Sequence, residues 1–175
     1  MPDLALATTP ERAFLTFYVQ GRRYGIALTK VREVSTHVAC TPVPQAPPVV
    51  RGLTSLRSRI HLVLDAGVAL HGQPTECTAE SRLVVLHEGV AAQFALLVER
   101  GGDIVHAGGD LIEPAADARA AEPTPDADPV IALCKLRGEL MMVIEPAALV
   151  AGLEAATRGR PTGAPAAAAA GETRP

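Results

Sequence analysis

The sequence predicts an all-β fold, mainly strands with a short helical turn and a C-terminal helix, and three observations carry that prediction. Short apolar runs recur in pairs joined by polar turns, as the arms of hairpins do. Hydrophobic residues make up 48% of the 175-residue chain and aromatics only 3%, so the core must be filled by Val, Leu, Ile and Ala. Only one stretch shows a convincing helical period. These features favour antiparallel β-barrels over alternating α/β units. The length fits one domain, or two very small barrels sharing a core.

In chain order, residues 1–12 read as a flexible leader. From Phe14 the run FLTFYV is strand-like, QGRR makes a polar turn, and YGIAL resumes the hairpin. Thr29 to Glu33 is too short for an ordinary helix and is predicted as one turn, with Thr29 as its cap. TPVPQAPPVV, residues 41–50, holds four prolines, which remove amide donors and fix φ, so it should cross the surface extended. Residues 51–56 turn at Arg57-Ser58-Arg59 into IHLVL, and RLVVL turns at Glu88-Gly89 into AAQFALLV. Loops are expected at 70–81 and, long and acidic, at 113–129. VIALCKL joins LMMVI through Arg137-Gly138-Glu139. From Pro146 to Arg158 the spacing of Leu149, Val150 and Leu153 predicts an amphipathic helix with proline at its start. Residues 156–175 form an Ala/Pro-rich tail that is expected to be disordered.

Composition narrows the function classes. A net charge of −3 supplies no basic field for phosphate backbones or anionic lipid, so nucleic-acid binding is not expected. No run reaches the roughly 18 apolar residues of a membrane span, which points to a cytoplasmic protein without direct membrane insertion. The three cysteines, Cys40, Cys77 and Cys134, lie far apart with no CxxC spacing, so neither a disulfide framework nor a zinc site is indicated. No nucleotide-loop, nucleophile-elbow or zinc-protease motif occurs, so no catalytic residue, cofactor or metal is assigned. His61 and Asp65 share a strand face but lie roughly 13 Å apart at strand rise. His37, His71, His87 and His106 are expected in or beside turns, solvated. The acids Asp110, Glu113, Asp117, Glu122, Asp126 and Asp128 lack the order of a calcium loop.

Four blocks carry a family resemblance. FLTFYVQGRRYGIALTKVREV contains Phe14, Phe17, Tyr24, Gly25, Ile26, Lys30 and Val31 at the spacing of the first hairpin of the CheW-like chemotaxis coupling proteins. TPVPQAPPVVRGLTSLRSRIHLVLD resembles that family's second block and keeps Gly52, Leu56, Arg57 and Asp65. It departs where Arg51, Ser55, Ser58, Leu62 and Ala66 replace Lys, Asn, Gly, Pro and Leu. RLVVLHEGVAAQFALLVERGGDIV and LCKLRGELMMVIEPAALV continue the match, which spans about residues 13–153.

The resemblance implies two small, intertwined five-stranded SH3-like barrels within residues 13–155, crossed by the C-terminal helix. It implies a non-catalytic adaptor between two partners, the regulatory domain of a CheA-like histidine kinase and the cytoplasmic signalling tip of chemoreceptors. A divergent paralogue that binds receptor but not kinase is the alternative, and a small-barrel ligand-binding module or enzyme a more remote one. Carried over by position, Val31, Glu33 and Gly52 fall on the kinase side, and Leu56 and Arg57 on the receptor side. Tyr24, Gly25 and Asp65 are structural. Val31 is either an exposed anchor or a core valine, and Gly52 either a contact or a point of close backbone approach. Arg57 either reaches the receptor or braces its own turn through an internal carboxylate such as Asp65. Ser58 adds a Cβ where a turn can require positive φ, at a cost of about 1 kcal/mol.

Overall fold

The computed structural model describes residues 11–36, 39–115 and 128–158. Eleven strands and two α-helices follow in the order β1 (Arg12–Val19), β2 (Arg22–Ala27), β3 (Val31–Thr36), β4 (Val50–Leu56), β5 (Arg59–Asp65), α1 (Ala66–His71), β6 (Arg82–Leu86), β7 (Phe94–Val98), β8 (Arg100–Ala107), β9 (Ile112–Pro114), β10 (Val130–Leu136), β11 (Glu139–Ile144) and α2 (Pro146–Arg158). The mainly-β fold is as expected.

The strands form two sheets, one ordered β8-β1-β2-β11-β10-β9 and the other β3-β6-β7-β5-β4. The chain therefore starts in the first sheet, builds the whole second sheet and returns. That path makes the pairing mixed where an antiparallel pattern was expected: β2 pairs β11 in parallel, and β5 pairs β7 in parallel. Each parallel seam joins strands far apart in sequence, which hairpin counting cannot detect.

Three apolar clusters explain why several strands read as unbroken hydrophobic runs. The central one takes Leu15, Phe17, Val19 and Ile26 from the first sheet, Leu64, Val84, Leu86 and Leu96 from the second, and Leu149, Val150 and Leu153 from α2. A second cluster, with Phe14, Cys134, Met141 and Val143, fills the far side of the first sheet. A third, with Leu56, Val63, Leu83, Val85, Ala95 and Leu97, fills the far side of the second. RLVVL and FALLV thus bury both faces, even residues toward one core and odd toward the other. The stripe expected on α2 is the one buried.

Several elements differ from expectation. Leu28–Lys30 is a 3-10 turn without a side-chain cap, so Thr29 caps nothing, and the β-branched run from Val31 pairs β6 as a strand. The loop expected at 70–81 begins inside α1, whose six residues are too few to show a period. The turn after β6 runs from His87 to Gln93, because Val90 and Ala91 donate back to the His87 carbonyl before β7 starts at Phe94. RGGDIVHA is a strand, β8, paired to β1, and His106 lies within it. His71 closes α1 and does not sit in a loop. The acidic stretch opens with β9, while Asp117, Glu122 and Asp126 lie outside the described residues, as do His37, residues 1–10 and the tail beyond Arg158.

Candidate functional site

The two-residue turn between β4 and β5 is built by Arg57 and Ser58, with φ of 47° and 63°. Positive φ at both central positions matches the right-handed twist of the flanking strands. Neither residue is glycine, so both Cβ atoms carry the steric cost expected for Ser58. The turn is held at a barrel end: Arg57 Nε donates to Glu33 Oε2 at 2.8 Å. β3 and β4 are the two edges of their sheet, so this pair links one edge to the tip of the other and marks the curl that closes the barrel. Beside it Arg59 pairs with Glu88, and Arg32 lies 3.7 Å from the same carboxylate.

The result is an exposed tip where β3, the β4–β5 turn and the loop after β6 meet, carrying three arginines and two glutamates. Arg57 has 77% of its side chain exposed. Next to the tip residues in sequence, Ile60 is 61% and Val34 43% exposed. Such a surface can dock a polar and apolar partner face; it holds no nucleophile beside a base.

The residues assigned to two different partners come together here. Glu33, expected on the kinase side, holds Arg57, expected on the receptor side, and the brace expected through an internal carboxylate such as Asp65 is made by Glu33. Asp65 has another cation near it, Arg51, at 3.8 Å. Val31 is half-buried and packs against the central core, while Leu56 is buried in the third cluster, behind the turn. Gly52 has φ of +148°, and a Cβ there would sit 2.4 Å from the Thr41 carbonyl oxygen. Thr41 and Leu53 exchange both backbone hydrogen bonds at 2.8 Å, so Gly52 is where the proline-rich crossing is fastened to β4. Val34, Ile60 and the Glu88 pairs were not read from sequence, because alternation along a strand does not say which face a barrel leaves open.

Three further residues shape the scaffold. Asp65 is 1% exposed and caps α1, accepting from Gly67 N at 2.9 Å, Thr75 N at 2.9 Å and Thr75 Oγ1 at 2.6 Å. Tyr24 is buried against Phe17, and its hydroxyl lies 2.9 Å from His71 Nε2. Burial pushes the Tyr24 phenol up from its ordinary value, against a lowering by Arg22 and with a further rise from Asp128. At Gly25 a Cβ would meet the Met141 sulfur at 2.6 Å, beside the β2–β11 seam. His61 is buried beside Asp65 in sequence terms only: its Nδ1 lies 3.1 Å from the Arg59 carbonyl, and the two side chains share no bond. Among the described residues no three His, Cys, Asp or Glu side chains are grouped to hold a metal ion, and no helix is long and apolar enough to cross a membrane.

Comparison with known proteins places this architecture. The family model of the CheW-like domain matches residues 13–154. The chain is 26% identical over 109 residues to the chemotaxis protein CheW of Klebsiella aerogenes, a stretch covering 62% of this chain and 65% of that protein. The match thus spans just under two thirds of that relative. It is 26% identical over 110 residues to chemotaxis protein CheW of Rhizobium meliloti, covering 63% of this chain and 70% of the other. The crystal structure of the scaffolding protein TtCheW from Thermoanaerobacter tengcongensis superposes with a TM-score of 0.64 at 21% identity, over 78% of this chain and 85% of that one. The two sheets correspond to that fold's two SH3-like barrel subdomains.

Proposed function

The chain belongs to the CheW-like domain family, and from that premise we propose that it is a non-catalytic, cytoplasmic adaptor that couples chemoreceptors to a CheA-like histidine kinase. The observation that carries this reading is the tip itself. Glu33 and Arg57, matched to opposite partners, are joined at 2.8 Å on an exposed surface, so contact with one partner bears directly on the residue offered to the other. An adaptor that transmits receptor state to a kinase needs such a joint. In this reading Glu33 contacts the kinase regulatory domain and Arg57 the receptor tip. Val31, Gly52 and Leu56 act from beneath by setting the strand, the crossing and the turn on which those two stand.

The same tip favours a second reading. Arg57, Ser58 and Arg59 make the turn basic, and Ser58 stands where the family pattern has glycine. A remodelled turn would leave one docking face weakened, giving a paralogue that binds receptor but not kinase.

Pairwise binding decides between them. The full chain is titrated with the regulatory domain of its cognate kinase and, separately, with a receptor signalling-tip fragment, with Glu33→Ala and Arg57→Ala alongside. Coupling predicts binding to both partners, with Glu33→Ala weakening the kinase and Arg57→Ala the receptor by about tenfold or more. Receptor binding alone supports the paralogue, and binding to neither overturns both readings.

A further inference from the structure

We propose that Cys77 and Cys40 form a peroxide-responsive dithiol, in which Cys77 is the sulfur attacked first and Cys40 resolves it into a disulfide. Both thiols line one cavity of 420 Å³, together with Arg51, Asp65 and prolines of the crossing segment. Cys77 is exposed and Cys40 half-buried in the lining of the same cavity, so oxidant reaches Cys77 more readily from solvent. Arg51 Nη2 lies 3.2 Å from Cys77 Sγ, placing a guanidinium where a thiolate would be held as an ion pair. An accessible thiol beside a cation, with a resolving thiol at hand, is the arrangement of redox-sensing cysteines. At Cys40, burial raises the thiol from its ordinary value, Arg51 lowers it and Cys77 raises it.

Closure would not have to break a sheet. Cys40 precedes the Thr41–Leu53 bridge and Cys77 lies between α1 and β6, so both belong to irregular segments and no strand ladder need open. In the first step the Cys77 thiolate attacks the O–O bond of hydrogen peroxide, forming a sulfenic acid and releasing hydroxide. In the second the Cys40 thiolate attacks Cys77 Sγ, forming the disulfide and releasing the sulfenic oxygen as water after it takes up a proton. Each peroxide accepts two electrons and the net products are one disulfide and two waters. Closure ties the crossing that lies over Gly52 to the loop after α1.

The test treats the reduced full-length protein with one equivalent of hydrogen peroxide and follows it by intact mass and peptide mapping. The expected result is loss of two hydrogens and a Cys40–Cys77 cross-linked peptide within a monomeric chain, with buried Cys134 unmodified. Cys40→Ser should leave a Cys77 sulfenic acid that dimedone traps. Arg51→Gln should slow Cys77 oxidation about tenfold, the factor one charge-assisted hydrogen bond contributes, while Arg51→Lys restores part of the rate. Cross-linking between molecules, over-oxidation of Cys77 without a disulfide, first reaction at Cys40, or an Arg51→Gln rate equal to wild type would each overturn the proposal. The readout is covalent mass and needs no partner, so its failure leaves the adaptor reading standing.

Discussion

Removing the carboxylate of Asp65 should cost this fold about 3 kcal/mol, and the cost can be assembled from its contacts. Asp65 is buried and receives hydrogen bonds from Gly67 N, Val68 N, Thr75 N and the Thr75 hydroxyl. In Asp65→Ala the helix cap is lost, about 1 kcal/mol. The buried Thr75 amide, which has only Asp65 oxygens as acceptors, is orphaned at about 1–3 kcal/mol. Gly67 N suffers less, because it also reaches Thr75 Oγ1 at 3.0 Å. Asp65→Asn keeps one oxygen for the helix amides but turns a donor toward another group, so it should fall between wild type and Asp65→Ala. Urea unfolding followed by circular dichroism measures both, read as a shift in midpoint at constant slope. A cost below about 1 kcal/mol for Asp65→Ala would refute the reasoning, because water would then be satisfying amides that the structure places out of its reach.

Two further predictions follow from the turn and from the buried phenol. Ser58→Gly should stabilise the protein by about 0.5–1 kcal/mol in the same urea assay, since glycine adopts the φ of 63° without a Cβ clash; an unchanged midpoint would mean that the turn carries no strain. Because burial raises the Tyr24 phenol above its ordinary 10.0, the unfolded chain releases that proton first, so stability falls as pH rises through 10 toward the folded value. Tyr24→Phe should lose about 1 kcal/mol at neutral pH with its hydrogen bond to His71, and should flatten that alkaline decline; an equally steep decline would assign it to other groups.

Much of the scaffold was legible because it depends on local patterns. Hairpin arms alternate or run apolar, turns collect Gly, Arg, Gln and Ser, and α2 carries its stripe at helical spacing, so β1–β2, β4–β5, β10–β11 and α2 follow from neighbours in sequence. Order and spacing of the blocks around Tyr24-Gly25 and Gly52 to Asp65 were enough to suggest the family. What escaped was either too short or too distant. A six-residue α1 shows no period, and β9 has three residues whose strand character comes from pairing with β10.

The sequence by itself determined which segments can be strands, that the core is aliphatic, and that Asp65, Gly52 and Ser58 occupy positions where backbone geometry matters. Only the tertiary structure decided the two parallel seams, the edge-to-tip pairing of Glu33 with Arg57, and the meeting of Cys40 with Cys77 in one cavity. The physical reason is one of range. Propensity, turn chemistry and hydrophobic period act between residues a few positions apart, whereas a seam, an ion pair across a barrel or a shared cavity depends on how whole sheets bury their two faces at once.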